Sequence, residues 1–425
     1  MLKRIILLGV LAGVAASFFY QAIRYPLVRE FYSPSFWSNL MTVGDVMRMV
    51  HTQYVHEDTS EYDVLARASM EGMISSLDRY SEYMRIRDFQ TFVEQNRQSY
   101  VVIGIEIHII ESRITVVTAF ENWPAEEAGV VSGDQIVRVN GINTEEFSLT
   151  EINELLRGEA ETSVSVGMFR PRSDETIDFD IPRRPVALVS VRNVEVSSDG
   201  IAYLRINRFG NNTSREFIAT LDRLERDGAH GLIIDLRNNP GGLLTAAVGV
   251  AEVYFEQGEK VVSTRGRTEL QNRDYVARTP DREDSMPLVI LINSASASAA
   301  EIVAGALQDT GRAIIVGERS HGKASVQSLY SISNGDGIRQ TTAMYTMPSG
   351  RTINEVGVVP DVRVPVGEGD YVKLRAQRRH APYLDKNAFR REFGFDPIPD
   401  VQRETANSIL RSVILVDSYR KARAI

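Results

Sequence analysis

Gly231-Leu232-Ile233-Ile234-Asp235-Leu236-Arg237-Asn238-Asn239-Pro240-Gly241-Gly242 begins as a continuous apolar strand and ends in a turn of residues suited to tight backbone geometry. The nearly all-apolar run 243–255 follows it and predicts a helix buried on every side. The alternation repeats on either side of this stretch. Residues 201–206 predict a strand, after which Thr213 and Glu216 predict a capping box on a helix carrying Phe217, Leu221 and Leu224, stopped by Gly228. Residues 287–292 predict another buried strand, which leads through a Ser/Ala loop into a helix at 299–307, with a further strand at 313–316. Strand–helix repeats with apolar strands predict an α/β region from about 186 to 364, built on a largely parallel sheet covered on both faces.

The remainder of the chain is organised differently. Residues 42–96 have helical spacing, with Val43, Val46, Met47, Met70, Met73 and Ile74 expected in buried stripes. The period then changes to two: strands are expected at 103–110, 114–117, 135–139 and 164–169, with a short amphipathic helix at 149–156. The acidic run at 281–284 reads as a solvated loop, and the apolar stretch at 409–416 as a packing or oligomer contact. At 425 residues the chain is long enough for two or three domains.

Composition excludes several classes of function. With 43% apolar and 24% charged residues the chain should fold, and a net charge of -8 without a Lys/Arg stripe disfavours a nucleic-acid partner. The absence of cysteine removes disulfides, thiolate nucleophiles and Cys zinc sites. No His-Glu-x-x-His segment or carboxylate cluster argues for a metal, and no cofactor is expected. Lys3 and Arg4 precede an uncharged run from Ile5 to Ile23, closed by Arg24. This is the pattern of an export signal, read as a retained membrane anchor, with a cleaved signal peptide as the alternative. Everything beyond Arg24 is then expected outside the cytoplasm, in the periplasm or cell envelope.

Two segments carry the chemistry. Ser294-Ala295-Ser296-Ala297-Ser298-Ala299 joins a buried strand to a helix start, where free amides and the positive dipole end favour an anion. Serines at such junctions are commonly caps or turn formers, so the loop alone decides nothing. The second segment is Gly317-Glu318-Arg319-Ser320-His321-Gly322-Lys323. Lysine activates a serine if burial or neighbouring cations lower its pKa, and Ser-Lys pairs are a known variant of the nucleophile–base arrangement. The same residues imitate a phosphate-binding P-loop, but that motif needs Ser or Thr next and then a helix. Here Ala324 comes next, and Val326, Leu329 and Ile332 continue in strand-like fashion. Of the six histidines, His321 and His230 lie nearest these loops and are read as bystanders.

On these residues the chain resembles the carboxyl-terminal processing, or tail-specific, proteases, whose core belongs with the crotonase-like α/β superfamily. The resemblance covers roughly residues 40–365. In that family a serine in a Ser/Ala/Glu loop lies 25 residues before a lysine, with glutamine four residues further on; Ser298, Lys323 and Gln327 match both intervals. Gly72-Met73, Leu77-Asp78-Arg79-Tyr80-Ser81, the 236–242 turn and Gly357-Val358-Val359-Pro360-Asp361-Val362 also agree. Ala295 and Ala324 depart from it where glycine is common, as do Ala300, His321 and Arg79 at positions where serine, phenylalanine and proline are common.

The resemblance implies an α/β, crotonase-like serine protease core with an inserted PDZ-like β domain and N-terminal helices. It implies Ser298 as nucleophile, Lys323 as base, Gln327 as the residue orienting the lysine, and an oxyanion hole from the Ala299 amide and a glycine amide of Gly241-Gly242. The region from about 100 to 184 resembles a PDZ domain, supported by 124–129 and 133–136. In it Val102, Ile103 and Gly104 would hold a terminal carboxylate, while the substrate tail adds as a strand beside Ile105 and Ile107. The expected division is 1–24 signal or anchor, 25–97 helical, 98–185 PDZ-like, 186–368 protease core and 369–425 C-terminal extension. Expected partners are proteins or peptides with free C-termini, the membrane through the N-terminal segment, and a homo-oligomer or activating adaptor. A binding or chaperone-like protein that has lost turnover is the alternative.

Overall fold

A computed structural model describes residues 33–97, 99–110, 113–120, 123–187, 189–278, 286–380 and 386–423. The expected export segment at 1–24 and the acidic run at 281–284 lie outside the described residues. Among the described residues no helix is long and apolar enough to cross a membrane.

Gly231–Asp235 is the strand that its apolar run predicts, and all of it is buried. It pairs in parallel with Ile201–Ile206 on one side and Leu288–Ile292 on the other. Ala313–Gly317 and the short Val362–Arg363 extend the sheet in parallel, and Val191–Val196 closes the opposite edge antiparallel. Because side chains alternate across a sheet, one sequence feeds two cores. Leu232, Ile234, Ile290, Ile292 and Ile315 face helices Thr213–Arg226, Leu244–Ala251 and Ala299–Asp309. Ile233, Val289, Leu291 and Val316 face Ala406 and Leu410 of the C-terminal helix Val401–Arg423. The 409–416 stretch therefore packs at one end, with Leu410 buried, and leaves Leu415 and Val416 exposed.

Two local expectations change. The helix expected at 243–255 runs from Leu244 to Ala251 and tightens into a 3₁₀ turn at Glu252–Tyr254. It is not buried on every side, since Thr245 is exposed. The capping box at Thr213 does not form: Asn212 takes the N-cap position. Thr213 Oγ1 instead accepts from the Gly210 amide, and the Glu216 carboxylate accepts from the Ser190 and Val191 amides. Tertiary donors at the entrance to the sheet outcompete the helix's own end.

The chain divides into two compact units. The sheet above belongs to the larger one, with the region 99–187. There, strands Ile105–Ile110, Arg113–Ala119, Gln135–Val139, Ser163–Arg170 and Glu175–Pro182 form one antiparallel sheet. Helix Leu149–Leu156 starts at a capping box between Ser148 and Glu151 and packs Ile152 and Leu156 into that sheet's core. The smaller unit holds residues up to Met84 with 329–340. Its helices Pro34–Gln53 and Tyr62–Ser75 overlap the expected 42–96, the first starting ahead of it, but the expected buried stripes do not form: neither helix buries a residue, Val43, Val46 and Met73 are exposed, and Met47, Met70 and Ile74 are half-buried. Among the described residues of that unit the two helices contact each other, and Tyr62–Ser75 contacts the three-residue strand Glu82–Met84, so their apolar faces are covered only in part.

Candidate active site

Ser298 is the junction between strand Leu288–Ile292 and helix Ala299–Asp309. Its backbone sits at φ 55°, ψ -115°, outside the regions that side-chain-bearing residues occupy without strain. Such a conformation persists only where its surroundings over-determine it. Glu301, fully buried one turn into the helix, is the main constraint. One carboxylate oxygen accepts from the Ser298 amide at 2.8 Å and the Lys323 amide at 2.9 Å; the other accepts from the Gly322 amide at 2.6 Å and the Ser320 hydroxyl. A single side chain thus fastens the serine's backbone to the lysine's turn.

Two further links join the same loops. The Tyr345 hydroxyl lies 3.1 Å from the Ser298 carbonyl oxygen and 2.7 Å from that of Lys323. The His321 amide donates to the Ser296 carbonyl at 2.9 Å. The 25-residue interval therefore closes in space, with Ser298 and Lys323 both half-buried. Lys323 is followed by strand Ser325–Ser331, so the P-loop's helix is absent there. The Gln327 amide donates to Ser325 Oγ at 2.8 Å and Thr341 Oγ1 at 3.3 Å, and Lys323 is not among its partners.

The glycine turn meets the serine directly. A Cβ on Gly241 would lie 2.8 Å from Ser298 Cβ and 2.9 Å from the Ala299 nitrogen, so only glycine admits this approach. Gly241 is buried, and its amide donates to Asn239 Oδ1 at 2.8 Å, whereas Gly242 is exposed. Among the described residues no acceptor pairs with the Gly242 or Ala299 amide. Of the three donors expected around an oxyanion, two are open and one is engaged. Neither Ala295 nor Ala324 is at positive φ, so alanine carries no left-handed strain at either position.

The 99–187 region presents a separate candidate surface. Among the described residues Ile105–Ile110 is an edge strand with Arg113–Ala119 as its one sheet neighbour, and helix Leu149–Leu156 packs near it. Gly104, at φ 86°, lies against Trp123, where a Cβ would fall 2.5 Å from the Trp123 Cβ. The carbonyls of Ile103 and Gly104 accept from Ala125 and Phe120. Among the described residues neither amide has a protein acceptor. Ile103 is buried, Ile105 and Ile107 are half-buried, and Val102 pairs with Arg184 as the last residue of strand Ser99–Val102. Among the described residues no cluster of three acidic or histidine side chains could hold a metal.

Sequence reading passed over Glu301, Tyr345 and Asn239 as site residues. Glu301 carried a signal, since Ser-x-x-Glu is capping-box spacing. Tyr345 reaches the site through tertiary contacts that leave no local pattern, whereas Asn239 accepts from Gly241 two residues on, within the Asn-Pro-Gly-Gly turn itself.

The chain is similar to known proteins over most of its length. Residues 200–364 match peptidase family S41 and residues 116–167 match a PDZ domain. A carboxy-terminal-processing protease of Bartonella bacilliformis is 34% identical over 397 residues, covering 89% of each chain. A carboxyl-terminal-processing protease of a Picosynechococcus species is 35% identical over 292 residues, covering 68% of this chain and 70% of its own. Among solved structures, a photosystem II D1 C-terminal processing protease is 28% identical with a TM-score of 0.43, covering 76% of this chain and 92% of its own.

Proposed function

The chain belongs to the carboxyl-terminal processing proteases of peptidase family S41, serine-type peptidases with a PDZ domain, and from that premise we propose that Ser298 and Lys323 form its catalytic dyad. The observation that carries this reading is the Glu301 carboxylate, which binds the Ser298 and Lys323 amides through one oxygen. In the proposed reaction Lys323 takes the Ser298 hydroxyl proton as Oγ attacks the scissile carbonyl. The C–N bond then breaks, the departing amine takes the proton back, and water hydrolyses the resulting ester. The tetrahedral oxyanion is assigned to the Ala299 and Gly242 amides, because Gly241 donates to Asn239 instead. Gln327 is assigned to the lysine's turn through Ser325, which follows Lys323 by two residues and opens strand Ser325–Ser331.

The core is read as crotonase-like, and the division 25–97, 98–185, 186–368 and 369–425 is kept as the functional layout. The charge pattern at 1–24 supports export and an anchored, extracytoplasmic enzyme, with a homo-oligomer or adaptor as the remaining partner class. Covalent labelling by a serine-reactive phosphonate tests the nucleophile: adduct mass on the peptide holding Ser298 is expected. A folded preparation that cleaves substrate with no such adduct removes the assignment.

Gly241→Ala is expected to lower kcat/KM by roughly 10²- to 10³-fold, since the added methyl pushes on Ser298 Cβ and the Ala299 amide. Steady-state kinetics check this, and parental kinetics would show that the turn is not part of the catalytic machinery. The tail-binding role rests on the edge strand 105–110 and the open amides of Ile103 and Gly104. Amidating the terminal carboxylate of a peptide ending in apolar residues is expected to weaken binding by about 10-fold or more, as charge-assisted hydrogen bonds are lost. Titration calorimetry reads the change, and equal affinity for both peptides would remove the clamp.

A further inference from the structure

The oxyanion turn is gripped from behind by the C-terminal extension. Arg237 is almost wholly buried, and every one of its N–H donors is used. Nε and Nη2 donate to the Asp235 carboxylate at 2.9 and 2.6 Å. Nη1 and Nη2 donate in parallel to the two oxygens of Asp400 at 2.7 and 2.8 Å, and Nη1 also reaches Gln402 Oε1 at 3.0 Å. Asp400 does two jobs: the same carboxylate accepts from the Arg403 amide at 3.2 Å, at the start of helix Val401–Arg423. Burial opposes the Arg237 charge, but Asp235 and Asp400 outweigh it and hold its pKa well above the ordinary value, so Arg237 stays charged.

The next residue is held by the same extension. Asn238 sits at φ 60°, a conformation asparagine tolerates better than most residues but one that needs support. Its Oδ1 accepts from the Tyr371 hydroxyl, on helix Glu368–His380, and from Asn293 Nδ2 at 3.1 Å. Asn293 Oδ1 in turn accepts from the Asn238 amide at 2.9 Å. Asn293 follows strand Leu288–Ile292 and begins the loop that ends at Ser298. Asn239, Pro240, Gly241 and Gly242 come immediately after these two clamped residues.

We propose that the C-terminal extension is a positioning strap for catalysis: Tyr371 and Asp400 fix Asn238 and Arg237, and through them hold the Gly242 amide at the distance from Ser298 that an oxyanion requires. This rests on the dyad reading above. A strap that only stabilised the fold would change melting temperature alone. A strap that sets a transition-state donor changes kcat while KM and tail binding stay constant.

Tyr371→Phe and Asp400→Asn are the discriminating variants, because each keeps the side-chain shape and removes one hydroxyl or one charge. Arg237 is left intact, since its removal strands the buried Asp235 carboxylate. With a fluorogenic peptide ending in an apolar residue, each variant of the full chain is expected to lose about 10-fold in kcat, with KM within about two-fold. Phosphonate labelling of Ser298 should slow in parallel, because the phosphonyl oxygen needs the same donors. Arg411→Ala removes an exposed ion pair to Asp199 further along the same helix and is expected to leave kcat unchanged. Strap variants with parental kcat overturn the proposal, as does a kcat loss that merely follows the unfolded fraction. Ser298→Ala in the same assay separates the readings: residual parental activity there refutes the dyad, whereas an inert Ser298→Ala beside fully active strap variants refutes the strap alone.

Discussion

Replacing Ser298 or Lys323 with alanine is expected to lower kcat by about 10⁴-fold or more, and the double variant is expected to be no worse than either single one. Nucleophile and base act as a unit, so losing one idles the other. Lys323→Arg sharpens the test. Arginine keeps the positive charge and much of the length, but it does not deprotonate in proteins and cannot accept the serine proton. It is expected to be as inactive as alanine. A lysine present only for its charge would instead leave Lys323→Arg largely active. Substrate cleavage followed by mass spectrometry, with melting temperature as the control for folding, reads all four variants. Any folded variant retaining more than a few per cent of parental kcat would remove that residue from the dyad.

The core of the fold was legible because its signals are local. An apolar strand, a Pro-Gly-Gly turn and an apolar helix at 231–255 are written in consecutive residues, and the parallel sheet follows from their repetition. That the Ser298 loop and the Lys323 turn meet was legible only through the interval that the family resemblance supplied. What holds the pair together was only partly so. Glu301 fits a capping box, yet its second oxygen goes to Ser320 and Gly322, residues that no helix-end pattern includes. The expected box at Thr213 and Glu216 had the same spacing and was diverted to Ser190 and Val191. Equal spacing therefore gave unequal outcomes, because a carboxylate shielded from water goes wherever uncompensated amides face it. The N-terminal stripes failed for a related reason. Helical periodicity within 42–96 specifies an apolar face, but burial needs a full partner surface, and the described residues of that unit cover the two helices only in part.

Glu301→Gln should be nearly as damaging as loss of the dyad, although Glu301 touches no substrate. Both carboxylate oxygens accept two donors each: the Ser298 and Lys323 amides at one, the Gly322 amide and Ser320 hydroxyl at the other. Glutamine has one oxygen and one NH₂. Whichever way the amide turns, its NH₂ faces two groups that were donating, and at one position both are backbone N–H groups that cannot reverse. Buried donors left without acceptors cost about 1–3 kcal/mol each, so a loss of roughly 2–5 kcal/mol is expected. Strain stored at Ser298 gives the backbone a direct route to relax, which would carry Oγ away from the lysine. The variant should therefore show a lower denaturant midpoint with an unchanged m-value, and kcat reduced about 10²-fold or more even where it is fully folded. Glu301→Asp tests reach rather than chemistry: the carboxylate survives but is one methylene shorter, and it cannot hold both loops at their present separation. It is expected to lose activity as well. A folded Glu301→Gln enzyme with parental kcat would show that the Ser298–Lys323 geometry is set elsewhere, leaving Tyr345 and the Ser296–His321 link as its remaining supports.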